Sequence, residues 1–312
     1  MTRRTRNAFS LTLLMVLGLT IATRLTGAAP DHGGTSFSAR PRESTVKKYS
    51  NWMARLPDDV LLSRVSLPGT HDSCALYDGL SFGFAKCQQW QLADQLASGI
   101  RFLDIRCRHV DDRFQIYHGV IDQHMTFEDV RDVCQKFLND HPSECIVMSV
   151  KEESKAERNS RSFADTFADA TKNDGSLWHI SPEVPELDAV RSRIVLIDRV
   201  GDLGGLKWNT LQRQDQYTAP LEQKTHLIRD HFEKAMLADD DQWFINFCSG
   251  VVAGSLLTPR KYALKSNAGA LDFLRQLSVD KPNRLGTVVM DFPGEELIER
   301  IIESNFSAKN VN

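Results

Sequence analysis

The chain has 312 residues, 41 % of them hydrophobic and 25 % charged, with a formal net charge of −3. That hydrophobic share supplies a sizeable core and excludes a disordered chain, while the near-balanced charge leaves no global basic field to gather nucleic acid. Any anion must be met by local groups.

At the N-terminus Arg3, Arg4 and Arg6 precede an apolar stretch from Ala8 to Ala22, and Thr26-Gly27-Ala28 supplies the small residues that signal peptidase cleaves after. Arg24 closes the stretch before it reaches the roughly 20 apolar residues that span a bilayer. Residues 1–28 are therefore expected to be a secretory signal, 29–48 a polar flexible lead-in, and 49–312 one folded domain of a secreted, extracellular protein. Six cysteines (Cys74, Cys87, Cys107, Cys134, Cys145 and Cys248) suit that compartment. They allow up to three disulfides or six buried thiols, and no CxxC or Cys/His spacing marks a metal site.

Strand-like runs follow at Leu62–Leu67, Phe102–Arg106, Phe114–His118, Cys145–Lys151, Ile194–Ile197, Trp243–Phe247 and Thr287–Phe292. Helical periodicity lies between them, at Trp90–Ala97, Thr126–Asn139, Phe163–Thr171, Leu221–Ala238, Ala268–Leu277 and Glu295–Ser304. In the second of these Thr126 is the expected N-cap with Asp129 at the third helical position, and His141-Pro142 stops the helix. This alternation predicts a single-domain α/β fold, a distorted (β/α)8 barrel of the TIM type with its strands closing on themselves.

Such barrels present functional side chains where strands end. His71 lies just past the first run, in Ser66-Leu67-Pro68-Gly69-Thr70-His71-Asp72-Ser73, with a turn expected at Pro68-Gly69. Arg106, His118 and Lys151 end three others, and Asp291 falls near the end of the last. Gly119 is expected to leave room beside His118. Two imidazoles and a guanidinium together suit proton transfer around an anion, most naturally a phosphodiester. Any one of the nine histidines, taken alone, is more readily a surface or core residue.

These segments, with Gly99-Ile100-Arg101-Phe102-Leu103-Asp104-Ile105-Arg106, His118-Gly119, Pro142-Ser143-Glu144 leading into Met148-Ser149-Val150-Lys151, and Val288-Val289-Met290-Asp291, resemble the X-domain of phosphatidylinositol-specific phospholipase C in its secreted bacterial type. The resemblance runs from about Asn51 to the C-terminal helix. It implies attack of the inositol 2-hydroxyl on phosphorus, releasing diacylglycerol and leaving inositol 1,2-cyclic phosphate, which is then hydrolysed slowly. On that reading His71 is the general base with Asp291 behind it, His118 the general acid oriented by Asp72, and Arg106 the phosphate clamp. The alternatives for the two acids are a turn-forming side chain at Asp72 and a salt-bridge partner at Asp291.

Arg106 further implies the metal-independent branch, so no metal and no cofactor are expected. Lys151, Glu153, Arg199, Asp215 and Tyr217 resemble inositol-binding positions, with surface charge the competing reading for Arg199 and Asp215. Cys107 stands where the family commonly has Gly and threatens to crowd Arg106. Phe82 and Phe84 either dip into a lipid interface or pack in the core. The implied partner is phosphatidylinositol or a glycosylphosphatidylinositol lipid at a membrane surface, touched peripherally by a monomer. The rivals are a metal-dependent glycerophosphodiester phosphodiesterase or sphingomyelinase D-like hydrolase, which lacks the Arg106 arrangement, and a catalytically silent lipid-binding barrel.

Overall fold

A computed structural model describes residues 46, 48–252 and 255–307. The expected signal and nearly all of the lead-in lie outside the described residues. No helix among the described residues is long and apolar enough to cross a membrane.

Eight parallel strands form a curled sheet in the order β6 (Trp178–His179), β7 (Ile194–Asp198), β5 (Ile146–Glu157), β2 (Phe102–Val110), β1 (Leu67–Thr70), β11 (Thr287–Met290), β10 (Phe244–Phe247) and β9 (Gln212–Gln214). The short β8 (Leu206–Lys207) pairs with the C-terminal half of β7. This is the expected distorted barrel, except that its ladder is not closed: β9 and β6 are the two ends of the strand order. With two residues in β6 and three in β9, neither edge is long enough to pair across the gap.

The central strands are buried on both faces, as the apolar runs Ile146–Val150 and Ile194–Ile197 require when helices cover a parallel sheet. Helices at Leu92–Ala97, Phe127–Asp140, Phe163–Thr171, Leu221–Leu237, Pro259–Gln276 and Glu295–Glu303 supply that cover. The Thr126–Asp129 cap is present as a reciprocal capping box, and the helix ends at His141. The fifth helix begins nine residues before the expected Ala268, because Thr258 caps it and Pro259 occupies its first turn, where a missing N–H costs nothing.

Three local expectations fail for identifiable reasons. The run Leu62–Leu67 is not one strand: Leu62–Arg64 is a 3₁₀ turn, and β1 starts only at Leu67. Pro68-Gly69 is not a turn but the middle of β1, between β2 and β11. Pro68 still accepts from Arg101 N at 2.9 Å, and a Cβ on Gly69 would lie 2.8 Å from Phe102 Cβ, so glycine is what lets β1 and β2 approach. The run ending at His118 is not a barrel strand either. It is β3 (Arg113–His118), antiparallel to the outer part of β2, and it turns into β4 (Ile121–Thr126) as a hairpin. Gly119 in that turn has φ +57° and nothing within 4 Å of a would-be Cβ, so backbone conformation rather than room calls for glycine.

All six cysteines are buried free thiols. Cys107 alternates with Arg106 along β2 and points into the core, so it does not crowd the guanidinium.

At the opposite end of the sheet, Arg101 and Glu144 form an ion pair with both side chains fully buried. Arg101 donates to Glu144 Oε2 through Nε at 2.9 Å and Nη2 at 2.7 Å, and also to the carbonyls of Ser50, Leu96 and Ile100. Glu144 accepts from Met53 N at 3.0 Å. The pair thus ties the first folded segment to the bottom of β2 and β5. Glu144→Ala strands the Arg101 charge in the interior and is expected to cost about 3–5 kcal/mol. A urea-unfolding midpoint measures that loss, and an unchanged midpoint would contradict the assigned role.

Candidate active site

The C-terminal ends of β1, β2, β5, β7 and β11 converge, and most of the expected side chains meet there. His71 follows β1, its N–H donating to Met290 O at 2.9 Å. Asp291 follows β11, and its Oδ1 lies 2.8 Å from His71 Nδ1. Arg106 Nη2 lies 2.7 Å from His71 Nε2. A guanidinium can only donate, so Nε2 accepts and the ring proton sits on Nδ1, facing Asp291. Gln88 fixes the backbone beneath, donating through Nε2 to His71 O at 2.6 Å and Met290 O at 3.0 Å.

Arg106 is the hub. Its Nη1 lies 3.1 Å from Asp72 Oδ2 and 3.3 Å from Glu153 Oε1, and Nε and Nη2 reach Asp104 Oδ2 at 3.2 and 3.1 Å. Asp104 also accepts from Arg199 Nη1 at 2.8 Å, and Arg199 stacks 4.0 Å over the Trp208 ring. Glu153 accepts from Lys151 Nζ at 2.8 Å and from Gly119 N at 3.1 Å, which links the β3–β4 turn to β5.

His118 is placed by that hairpin. Its Nδ1 lies 2.9 Å from Ala85 O, so Nδ1–H donates there and Nε2 is left facing Asp72 Oδ2 at 3.5 Å. The direct orienting bond therefore comes from a backbone carbonyl, and Asp72 acts on His118 by charge across a longer gap. Asp72 itself has φ +44°, a left-handed conformation that Asp tolerates better than most residues. The bonds Asp72 N to Asp104 Oδ2 (3.3 Å) and Ser73 N to Asp104 O (3.0 Å) hold it.

Burial and charge shift these groups in opposing directions. Burial opposes charge on the His71 ring, but the Asp291 carboxylate outweighs it against Arg106 and holds the pKa above 6.5. Burial raises Asp72 above the usual carboxylate range despite Arg106 and His118. At Asp104 burial also pushes upward, yet Arg106 and Arg199 prevail and hold the carboxyl well below that range. Glu153 is likewise lowered, with Arg106 and Lys151 overcoming burial.

Tyr217 stands half-exposed at the rim, its ring centroid 6.4 Å from that of His71. Asp215 does not join the network: its carboxylate is exposed, and the charge it acts on is Lys224 rather than a site cation. Sequence reasoning gave no role to Asp104, Gln88 or Cys87. The i, i+2 spacing of Asp104 and Arg106 in a strand puts both on one face and was a readable signal for the first. Nothing in the sequence marks the other two.

This geometry has counterparts among known proteins. Residues 71–200 match the family model described as phosphatidylinositol-specific phospholipase C, X domain. The 1-phosphatidylinositol phosphodiesterase of Listeria monocytogenes is 30 % identical over 88 % of this chain and 91 % of its own length. The chain belongs to the phosphatidylinositol-specific phospholipase C family. The Staphylococcus aureus (strain Newman) 1-phosphatidylinositol phosphodiesterase is 26 % identical over 87 % of this chain and 99 % of its own. The solved Listeria phospholipase C superposes with a TM-score of 0.73 at 28 % identity, covering 82 % of this chain and 98 % of that one. A mutant of the S. aureus enzyme gives 0.74 at 25 % identity, over 84 % and 99 %. Family membership makes the chain an enzyme of the phospholipase C type, and the two histidines, Arg106, Asp72 and Asp291 occupy one site within that fold.

The His71–Asp291 contact predicts a pH signature. A base works only when neutral, so if His71 is the base expected from the sequence, activity should fall as pH drops through its raised pKa. Asp291→Asn removes the charge that raises it, so the acidic limb of the kcat/KM profile should move to lower pH while the plateau drops roughly 10²–10⁴-fold. An unmoved limb would assign that limb to another group.

Proposed function

We propose that this phospholipase C cleaves phosphatidylinositol to diacylglycerol and inositol 1,2-cyclic phosphate by general acid–base catalysis without a metal. The observation that carries the reading is His71, held between Asp291 at Nδ1 and Arg106 at Nε2, with His118 across Asp72 from the same guanidinium.

Each chemical demand has a group to meet it. His71 Nε2 takes the proton of the inositol 2-hydroxyl as its oxygen bonds to phosphorus, and Asp291 stabilises the imidazolium. When lipid phosphate enters, Arg106 exchanges its contact with Nε2 for the phosphoryl oxygens, which frees the base and places a fixed positive charge where negative charge develops. The phosphorus–glycerol oxygen bond breaks, and His118 Nε2 delivers its proton to the departing oxygen. Arg106 thus does what a bound cation does in metal-dependent phosphodiesterases, which supports metal independence. Lys151, Glu153 and Arg199 line the same rim and suit the inositol hydroxyls, and the Tyr217 ring suits the apolar face of the sugar-like ring. Asp215 is the weakest of the five proposed substrate contacts, because its carboxylate is outside the network.

A lipid surface fits the rim. Leu80 and Phe82 on the loop after β1, Val120 on the hairpin turn and Leu256 before the fifth helix are all exposed, and none has a core to pack against. The loop bearing Phe82 reaches the segment after β10: a Cβ on Gly83 would meet Thr258 Cγ2 at 3.0 Å. Phe82 therefore takes the interfacial role, whereas Phe84 is partly buried. Export of a monomer through a signal at 1–28, with a lead-in at 29–48 and the catalytic barrel at 49–312, belongs to the same proposal.

Phosphorus NMR of the protein with phosphatidylinositol vesicles in excess EDTA should show the cyclic phosphate, and His71→Ala or His118→Ala should remove it. Loss of the wild-type signal in EDTA with recovery on adding Ca²⁺ would sink metal independence. The double variant Leu80→Ser, Phe82→Ser should lose several-fold activity on vesicles while keeping its rate on a water-soluble glycerophosphoinositol. Equal loss on both substrates would remove the loop from interfacial binding.

A further inference from the structure

One buried thiol stands inside the site and has no part in the reaction described above. Cys87 lies just before the helix at Leu92–Ala97, and its Sγ is 4.0 Å from His118 Nδ1. The ligand atoms of His71, Cys87 and Asp291 all lie within 4.8 Å of one another, and so do those of Asp72, Cys87 and His118. All three members of the first set are buried.

The first set is also built. Phe292 N donates to Cys87 O at 3.0 Å, which ties the thiol's segment to the loop carrying Asp291, and Gln88, the next residue, holds the carbonyls of His71 and Met290. Three elements therefore present nitrogen, sulfur and oxygen to one point. The second set is less free, because Asp72 already carries the Arg106 guanidinium at 3.1 Å, whereas the ion pair of Asp291 is with His71 itself.

We propose that His71, Cys87 and Asp291 form an inhibitory capture site for a thiophilic divalent cation of the zinc class. Zinc sits about 2.0–2.3 Å from such ligands, so the three atoms need spacings of roughly 3.3–3.8 Å, within a small side-chain adjustment of those present. The donor set excludes Ca²⁺ and Mg²⁺, which need several oxygens, and favours Zn²⁺, Co²⁺ or Cd²⁺. The charges close: one thiolate and one carboxylate neutralise the cation.

The protons balance as well. The Cys87 Sγ–H proton is released to solvent when the metal–sulfur bond forms. His71 gives its Nδ1 lone pair to the metal, so the ring proton moves from Nδ1 to Nε2. No oxidation occurs. Protonated Nε2 can neither accept from Arg106 nor take the substrate proton, and turnover stops.

The inhibition rests on His71 being the base, whereas the binding does not, and the test separates the two. The full chain, freed of metal with EDTA and dialysed, is titrated with Co²⁺ while thiolate-to-cobalt charge-transfer absorption is followed in the near ultraviolet, and phosphatidylinositol cleavage is then measured against Zn²⁺. One Co²⁺ should bind with a charge-transfer band that Cys87→Ser abolishes. Zn²⁺ should inhibit the wild type reversibly, with EDTA restoring the rate, and the concentration for half-inhibition should rise at least tenfold in Cys87→Ser. If the Ser variant does not fold, Cys87→Ala provides the same comparison. A missing band in the wild type, or a band retained in the variant, overturns the site. A band with no phosphatidylinositol cleavage would leave the site standing and defeat the proposed reaction instead.

Discussion

The guanidinium of Arg106 is the charge on which the catalytic end of this protein depends. Asp72, Asp104 and Glu153 are carboxylates with 7 % side-chain exposure or less, and each has an oxygen within 3.3 Å of that one side chain. Three anions brought this close would repel one another and lose hydration they could not replace. With Arg106 between them, and Arg199 and Lys151 as outer partners, they become a lattice that fixes the loop after β1, the face of β2 and the rim of β5 at once. The same cation also occupies the Nε2 lone pair of His71. Placement of the three acids and of the His71 ring thus rests on a single planar group, and a lysine in its place could satisfy only part of the set.

The strand bearing Arg106 is anchored at its other end by a second arginine. Arg101 lies just before β2, paired with Glu144 just before β5, and this pair is fully buried. The two adjacent strands are therefore clamped by ion pairs at the bottom and again at the top, where Arg106 faces Lys151 in register. The lower clamp carries no chemistry. Its consequence is positional: it sets how far β2 and β5 project, and hence where Asp104, Arg106, Lys151 and Glu153 stand relative to His71. Pro142-Ser143-Glu144, which looked like a signature of function in the sequence, owes its place to this structural work.

Strand ends were the most legible part of the site. His71, Arg106, Lys151, Arg199 and Asp291 all follow or end apolar runs of the parallel sheet, and a sequence with alternating strands and helices places such residues together by topology alone. His118 was found for a mistaken reason, since its apolar run belongs to an antiparallel hairpin whose alternation looks the same as that of a barrel strand over six residues. Its orienting partner, the Ala85 carbonyl, could not be read at all, because a backbone acceptor leaves no trace in residue identity. Nor could the open seam between β6 and β9, which depends on edge strands of two and three residues, too short to register as periodicity. Gly69 illustrates the limit from the other side: Pro-Gly signals a turn locally, but the approach of Phe102 across the sheet decides its conformation.

The two site histidines have different structural supports. His71 hangs from β1, in the middle of the sheet, whereas His118 rides on a hairpin whose outer strand β4 pairs in the sheet only with β3 and which is held from outside by the Gln123–Tyr77 bonds and by Gly119 N donating to Glu153. The two histidines are thus held from different parts of the fold, His71 by the parallel sheet and His118 by an outer hairpin whose turn puts Val120 at the surface.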